Sequence, residues 1–227
     1  MFFDSYYLLL VVPTLILSIF AQILVKSTFS KYSNISSKRN MSGAETANLI
    51  LRVSGISDVA IQGIQGNLTD HYDPSLKTLR LSTPVHSKNS IAAIGVAAHE
   101  CGHAIQHATN YGPLALRSYL VPSANFGASL GPYLAIAGLF FNLPLLLNAG
   151  IILFSLAVVF YLVTLPVEFN ASTRAIAILK KNAVLTDQEL IGVKKVLTAA
   201  ALTYVASALT AVASLFRLIL LSKNRRE

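Results

Sequence analysis

Apolar and polar positions are distributed along the chain in long uncharged runs separated by mixed segments. Tyr6 to Val25 contains no Asp, Glu, Lys, Arg or His, and neither do Ser118 to Val167 or Thr198 to Phe216. A helix needs ~20 mostly apolar residues to cross a bilayer, and each run is long enough. Buried core helices do not account for them, because a domain this small could not enclose such long uncharged segments. The middle run is too long for one crossing. Asn142-Leu143-Pro144 and Asn148 interrupt it, which predicts a transmembrane helical hairpin over 118–167. Two crossings return the chain to the side it left, so Glu168 emerges on the same face as the segment before Ser118. The last run is less decisive. It is Ala-rich, dotted with Thr and followed by Arg217, and is expected to pack partly on the preceding body and partly along or into the membrane.

The mixed segment 26–117 reads as a soluble body. Ser42 and Glu45 form a capping box ahead of Ala47 to Val53, and Gly55 supplies the stop. Val59 to Ile64 and Thr78 to Ser82 alternate as strands, with a turn-rich stretch from Gly66 to Pro74 between them. From about Lys88 the period becomes helical and persists to Thr109. Beyond Glu168 a polar helix is expected to about Asn182, after which Thr186 and Glu189 cap a final helix. No internal repeat or low-complexity segment stands out.

Composition sharpens this picture. Hydrophobic residues make up 54% of the chain and charged residues 12%, against about 25% charged in soluble domains; the mean hydropathy is +0.60. The first run lacks a basic leader, carries Asp4 and exceeds the ~15 residues of a signal-peptide core, so 1–25 reads as an uncleaved anchor. The net charge of +8 does not indicate nucleic acid, since no basic face with interleaved aromatics occurs. Lys26, Lys31, Lys38 and Arg39 instead follow the first run, and Lys223, Arg225 and Arg226 follow the last, where cations meet anionic headgroups. The nine basic residues of Lys26 to Arg117 place that segment on the cytoplasmic side, with the N-terminus outside. A single cysteine, Cys101, excludes an intramolecular disulfide framework and reads as a small buried residue.

The chemistry concentrates in His99-Glu100-Cys101-Gly102-His103, an H-E-x-x-H motif on the helix that starts near Lys88. Residues i and i+4 share a helical face, so both imidazoles can reach one zinc ion. Glu100, about 100° around the helix from His99, can stand beside the ion without ligating it and take a proton from the water that zinc acidifies. A third protein ligand is required. His107 lies ~12 Å along the axis from His99, too far to share the ion, and reads as a surface or supporting residue. A third ligand in the metzincin position would fall on Thr109, which excludes that class. Glu168 remains, an acid flush against a span end, where a charge is costly unless used. His71, His86 and Arg174 are softer candidates to stabilise the oxyanion. The strand Thr78 to Ser82, were it a sheet edge, could hold substrate as an added strand.

At these residues the chain resembles a known family. Leu68-Thr69-Asp70-His71-Tyr72-Asp73-Pro74, the helix Ala97 to His107, and Pro166-Val167-Glu168-Phe169-Asn170-Ala171-Ser172 are similar to the YugP-type membrane zinc metallopeptidases of bacteria (neutral zinc metallopeptidase family), over essentially the whole chain. The layout is more distantly similar to HtpX-type and CAAX-prenyl-protease gluzincins, in which a second helix reads Glu-x-x-x-Asp. The resemblance implies that His99 and His103 are zinc ligands, Glu100 the base and Glu168 the third ligand. Ser172 stands where an Asp would orient a ligand histidine, so Asn170 or Ser172 is left to supply an uncharged hydrogen bond instead.

The sequence thus predicts a mainly α membrane protein. A zincin-like catalytic body with a small β-hairpin or sheet (26–117) follows the N-terminal span (1–25). The hairpin (118–167) precedes a third-ligand helix and a C-terminal helix packed on body and membrane (168–227). The expected function is a zinc-dependent metalloendopeptidase of the bacterial cell membrane. It would be multi-pass, carry one Zn2+ with its site on the cytoplasmic side, and cleave protein or peptide substrates at or in the bilayer. A non-catalytic zinc-binding scaffold is the alternative, but has no need of Glu100. A processor of lipid-modified peptides would require a lipid chamber that two or three short spans do not enclose.

Overall fold

A computed structural model describes residues 4–223; the expectations for Arg225 and Arg226 lie outside the described residues. A π-helical turn, Tyr7–Val11, leads into α1 (Val12–Ser33). There follow α2 (Gly43–Val53), β1 (Ala60–Ile64), β2 (His71–Asp73), β3 (Thr78–Ser82), the one-turn α3 (Thr83–His86), α4 (Ile91–Ala108), α5 (Gly112–Phe140), α6 (Pro144–Lys181) and α7 (Asp187–Lys223). The architecture is mainly helical with one small sheet, as the polar pattern predicts. Three helices, Tyr7–Ser33, Pro144–Lys181 and Asp187–Lys223, are long and apolar enough to cross a membrane. The chain divides into two compact units.

One unit comprises Ile23–Leu114 and Val167–Ala201. The capping box forms as expected: Glu45 N–H donates to Ser42 Oγ, and Ser42 N–H donates to the Glu45 carboxylate at 2.7 Å. The second box forms too, with Thr186 N–H donating to Glu189 at 2.8 Å, and Glu189 also accepts from Lys38 N–H at 2.7 Å. The sheet has the order β1-β3-β2, with β1 parallel and β2 antiparallel to β3. β3 is therefore central, and the idea that Thr78 to Ser82 offers a free edge to substrate is corrected. Its alternation explains why: Leu79 and Leu81 are fully buried, and burying each contributes ~1.5–3 kcal/mol. β2 lies within the stretch read as turn. Three residues beside Pro74 are too few to show a period, and pairing with β3 supplies what local propensity does not.

α4 is the central helix of this unit. Ser90 caps it by accepting from Ala93 N–H at 3.2 Å. Ala, Gly, Ile and Val fill its first two turns, and nearly all of it is buried, as for a helix that is apolar on every side. It packs among Ile50, Leu51, Leu79, Leu81, Leu179 and Val193. Along the end of α6, Val167, Glu168, Ala171, Ala175 and Leu179 are buried, a single helical stripe that includes the acid. The polar helix expected from Glu168 is the uninterrupted continuation of α6.

The other unit takes in the described parts of Met1–Gln22, Ala115–Pro166 and Leu202–Glu227. α5 turns into α6 at Asn142, whose φ of 57° supplies the left-handed residue of the expected break, and Pro144 opens the next helix. α5 is the weaker arm of this hairpin. It is not among the three long apolar helices, being diluted by Pro122, Pro132, serines and glycines. Where its backbone meets that of α6, Gly127 lies so close to the Leu153 carbonyl that no Cβ fits. The described end of α7 carries Arg217, which donates to Asp4 at 2.6 Å and lies over the Tyr7 ring.

Candidate metal centre

All parts of the candidate centre belong to the unit built around α4. Gly102 permits the approach on which it depends, because a Cβ there would lie 2.5 Å from the Ala171 carbonyl oxygen of α6. With the two helices this close, Glu168 comes between the two motif histidines. Its Oε2 lies 3.2 Å from His99 Nε2 and 3.6 Å from His103 Nε2. Among the described residues, His99, His103 and Glu168 form a group whose donor atoms lie within 4.8 Å of one another.

The separations test whether zinc fits. Donors ~2.1 Å from a tetrahedral ion stand roughly 3.4 Å apart, and the two Glu168 distances bracket that value. The set itself, two imidazole nitrogens and one carboxylate oxygen, has the chemistry of zinc ligands.

Hydrogen bonds behind the rings decide which nitrogen faces the centre. Gln106, fully buried, donates from Nε2 to the Val167 carbonyl at 2.8 Å and to Asn170 Oδ1 at 3.0 Å. A main-chain carbonyl only accepts, so this amide orientation is forced. Gln106 Oε1 then faces His103 Nδ1 at 3.0 Å, and that nitrogen must donate. In the neutral ring His103 Nε2 is then the acceptor, and it points at Glu168. His99 Nδ1 has Ser172 Oγ at 3.1 Å in the equivalent place. In that neutral state His103 Nε2 and the Glu168 carboxylate present two acceptors to one point, and a cation between them would remove the repulsion. Burial alone would lower the His103 pKa, but the Glu168 hydrogen bond and the charges of Glu100 and Glu168 raise it above the ordinary value. The same field favours a cation at the centre.

Glu100, on the neighbouring face of α4, is 8% exposed, and its carboxylate makes no hydrogen bond to the described residues. Burial pushes the Cys101 thiol pKa far up, so Cys101 stays protonated, and its sulfur faces the Ala47 carbonyl. This agrees with a small packed residue.

The remaining candidates are placed as follows. Ser172 meets His99, while Asn170 reaches no histidine and instead accepts from Gln106 and from Arg174 Nε at 2.7 Å. Arg174 braces that amide and lies 5.8 Å above the Tyr111 ring. His71 is exposed on β2 between the Thr69 carbonyl and Arg80. His86 bonds weakly to Ser87 and lies against Gly63 of β1. His107 pairs with the Tyr72 hydroxyl at 2.8 Å. None of His71, His86 and His107 belongs to the three-donor group. Gln106 was missed from sequence, although its position one turn after His103 on the same helix was a usable signal.

The family described as "Putative neutral zinc metallopeptidase" matches residues 7–223. The chain is 47% identical to a Bacillus subtilis (strain 168) protein named "Putative membrane protease YugP". That alignment spans 221 residues, 97% of this chain and 98% of the relative. No solved structure matches it.

Proposed function

The chain belongs to the neutral zinc metallopeptidase family, and from that premise we propose that it is a gluzincin-like metalloendopeptidase of the bacterial cell membrane, cleaving membrane or membrane-near proteins. The observation that carries this reading is the placing of Glu168 against both motif histidines, beside a buried Glu100 whose carboxylate makes no hydrogen bond to the described residues. His99, His103 and Glu168 hold one zinc ion. When bound, zinc supplies Lewis acidity, lowering the pKa of the attacking water and polarising the peptide carbonyl. Glu100 accepts the water proton as the water adds to the carbonyl carbon, then returns it to the leaving amine nitrogen as the C–N bond breaks. Ser172 and Gln106 hold the rings so that each Nε2 stays turned inward. A zinc-bearing scaffold would have no use for a buried carboxylate held beside the motif histidines without a hydrogen bond to the described residues.

The site faces the cytoplasm. The body 26–117 carries nine basic residues, whereas Asp4 stands before the first span with no basic residue beside it in the sequence. The Asp4–Arg217 ion pair, which joins the described end of α7 to the residue before the first span, supports a crossing by α7 as well. The protein is multi-pass, with the anchor 1–25, the hairpin 118–167 and the segment 168–227 serving the body.

The test is a comparison of cells carrying the wild type with cells carrying Glu100→Gln. Membrane proteins that accumulate in the variant, and that purified wild type but not Glu100→Gln protein cuts, support the reading. A Glu100→Gln protein that cuts as fast as wild type rules it out.

A further inference from the structure

A second feature of the α4 unit lies away from the metal centre. α1 presents Leu24, Thr28, Lys31 and Tyr32 on one helical face, and α7 presents Ile191, Lys194, Lys195, Thr198 and Ala199. Together they line an open groove of about 440 Å3. Its walls are apolar at Leu24, Tyr32 and Ala199, and Ile191 is 53% exposed on it. Lys31, Lys194 and Lys195 are exposed at the rim, and none has an acidic partner among the described residues; Lys31 only lies over the Tyr32 ring. The nearest acids on α7 are engaged elsewhere, Glu189 by Thr186 and Lys38, and Asp187 by Lys180.

The groove also lies where both helices change character. The uncharged run of α1 ends at Val25 and that of α7 begins at Thr198, so each helix turns from bilayer-compatible to basic at this place. Leu24 and Ala199 continue the apolar runs, and the lysines stand at headgroup level. A free anion would use the cations and leave the apolar walls wet. A neutral lipid would use the walls and leave three cations unmatched.

We propose that this groove is a binding site for an anionic glycerophospholipid. Its phosphate lies among Lys31, Lys194 and Lys195, and an acyl chain runs along Leu24 and Ala199. The lysines act as point charges on the phosphate rather than as a planar fork. The proposal does not depend on the peptidase reading, because its measurements contain no proteolysis.

The full-length protein, purified in neutral detergent, is loaded with an equimolar mixture of phosphatidylglycerol and phosphatidylcholine, and retained lipid is counted by native mass spectrometry. Wild type is expected to retain phosphatidylglycerol preferentially. Lys194→Gln with Lys195→Gln is expected to weaken that retention on the order of tenfold. Lys180→Gln with Lys181→Gln removes the same charge outside the groove and is expected to leave it unchanged. The chain has no tryptophan, so Thr28→Trp gives a second readout in vesicles. Phosphatidylglycerol with brominated acyl chains should quench it more than brominated phosphatidylcholine, and the Lys194/Lys195 change should remove the difference. Equal retention of the two lipids, equal loss in the Lys180/Lys181 control, or displacement by equimolar inorganic phosphate would each overturn the proposal.

Discussion

Ser172 Oγ lies 3.1 Å from His99 Nδ1, one turn along α6 from the Glu168 carboxylate that meets Nε2 of the same ring. One helix thus fixes both sides of the imidazole, with an uncharged hydroxyl on the Nδ1 side. Groups behind metal-bound histidines typically account for about 10–100-fold in affinity. Ser172→Ala is expected to weaken zinc binding towards the lower end of that range, and Ser172→Asp to strengthen it. Competition with a chromophoric chelator measures both; identical affinities in all three proteins would remove Ser172 from the account.

Gln106 makes a sharper case, because its amide must present nitrogen to Val167 and oxygen to His103. Gln106→Glu keeps an acceptor for His103 but sets a second acceptor against the Val167 carbonyl. It should lower the melting temperature, since a buried acceptor without a donor costs ~1–3 kcal/mol, and should weaken zinc binding as well. A variant as stable as wild type would show that the amide orientation is not decisive.

The motif histidines were legible as a pair because i and i+4 is a local geometric rule, and Glu168 as an acid set at the end of an apolar run. What stayed hidden was set by approach between elements. Gln106 acquires its role only because Gly102 brings the backbone of α6 within its reach. Asn170 and Ser172 looked interchangeable in sequence, and the helix crossing separates them, sending one to Gln106 and the other to His99. β2 was hidden because its pairing partner, β3, does the specifying.

Gly102 itself gives a third prediction. Gly102→Ala places a methyl 2.5 Å from the Ala171 carbonyl oxygen, so α4 and α6 must separate. Overpacking of this kind costs ~1–3 kcal/mol. Unlike most such substitutions, it should also reduce zinc content, because Glu168 and Ser172 move with Ala171. Loss of stability with zinc affinity intact would mean that the donor group tolerates the shift.

Asp4 and Arg217 predict a pH-dependent contribution. Burial pushes the Asp4 pKa up, but hydrogen bonds from Arg217 and the Tyr7 amide, with the Arg217 charge, hold it below the ordinary 3.8. A depressed carboxyl stabilises the fold above its ordinary pKa, and the contribution disappears as pH falls through the folded value. Asp4→Asn should therefore melt below wild type at pH 7 in detergent, and the gap should close in acid. A gap that persists at all pH values would point to packing rather than charge.

The central claim is that Glu168 completes a zinc site begun by His99 and His103. The most direct measurement is zinc per chain in purified Glu168→Ala, beside wild type and Glu100→Gln prepared in the same way. The account predicts one zinc in wild type and in Glu100→Gln, and loss of most of it in Glu168→Ala. A full complement of zinc in Glu168→Ala would contradict it.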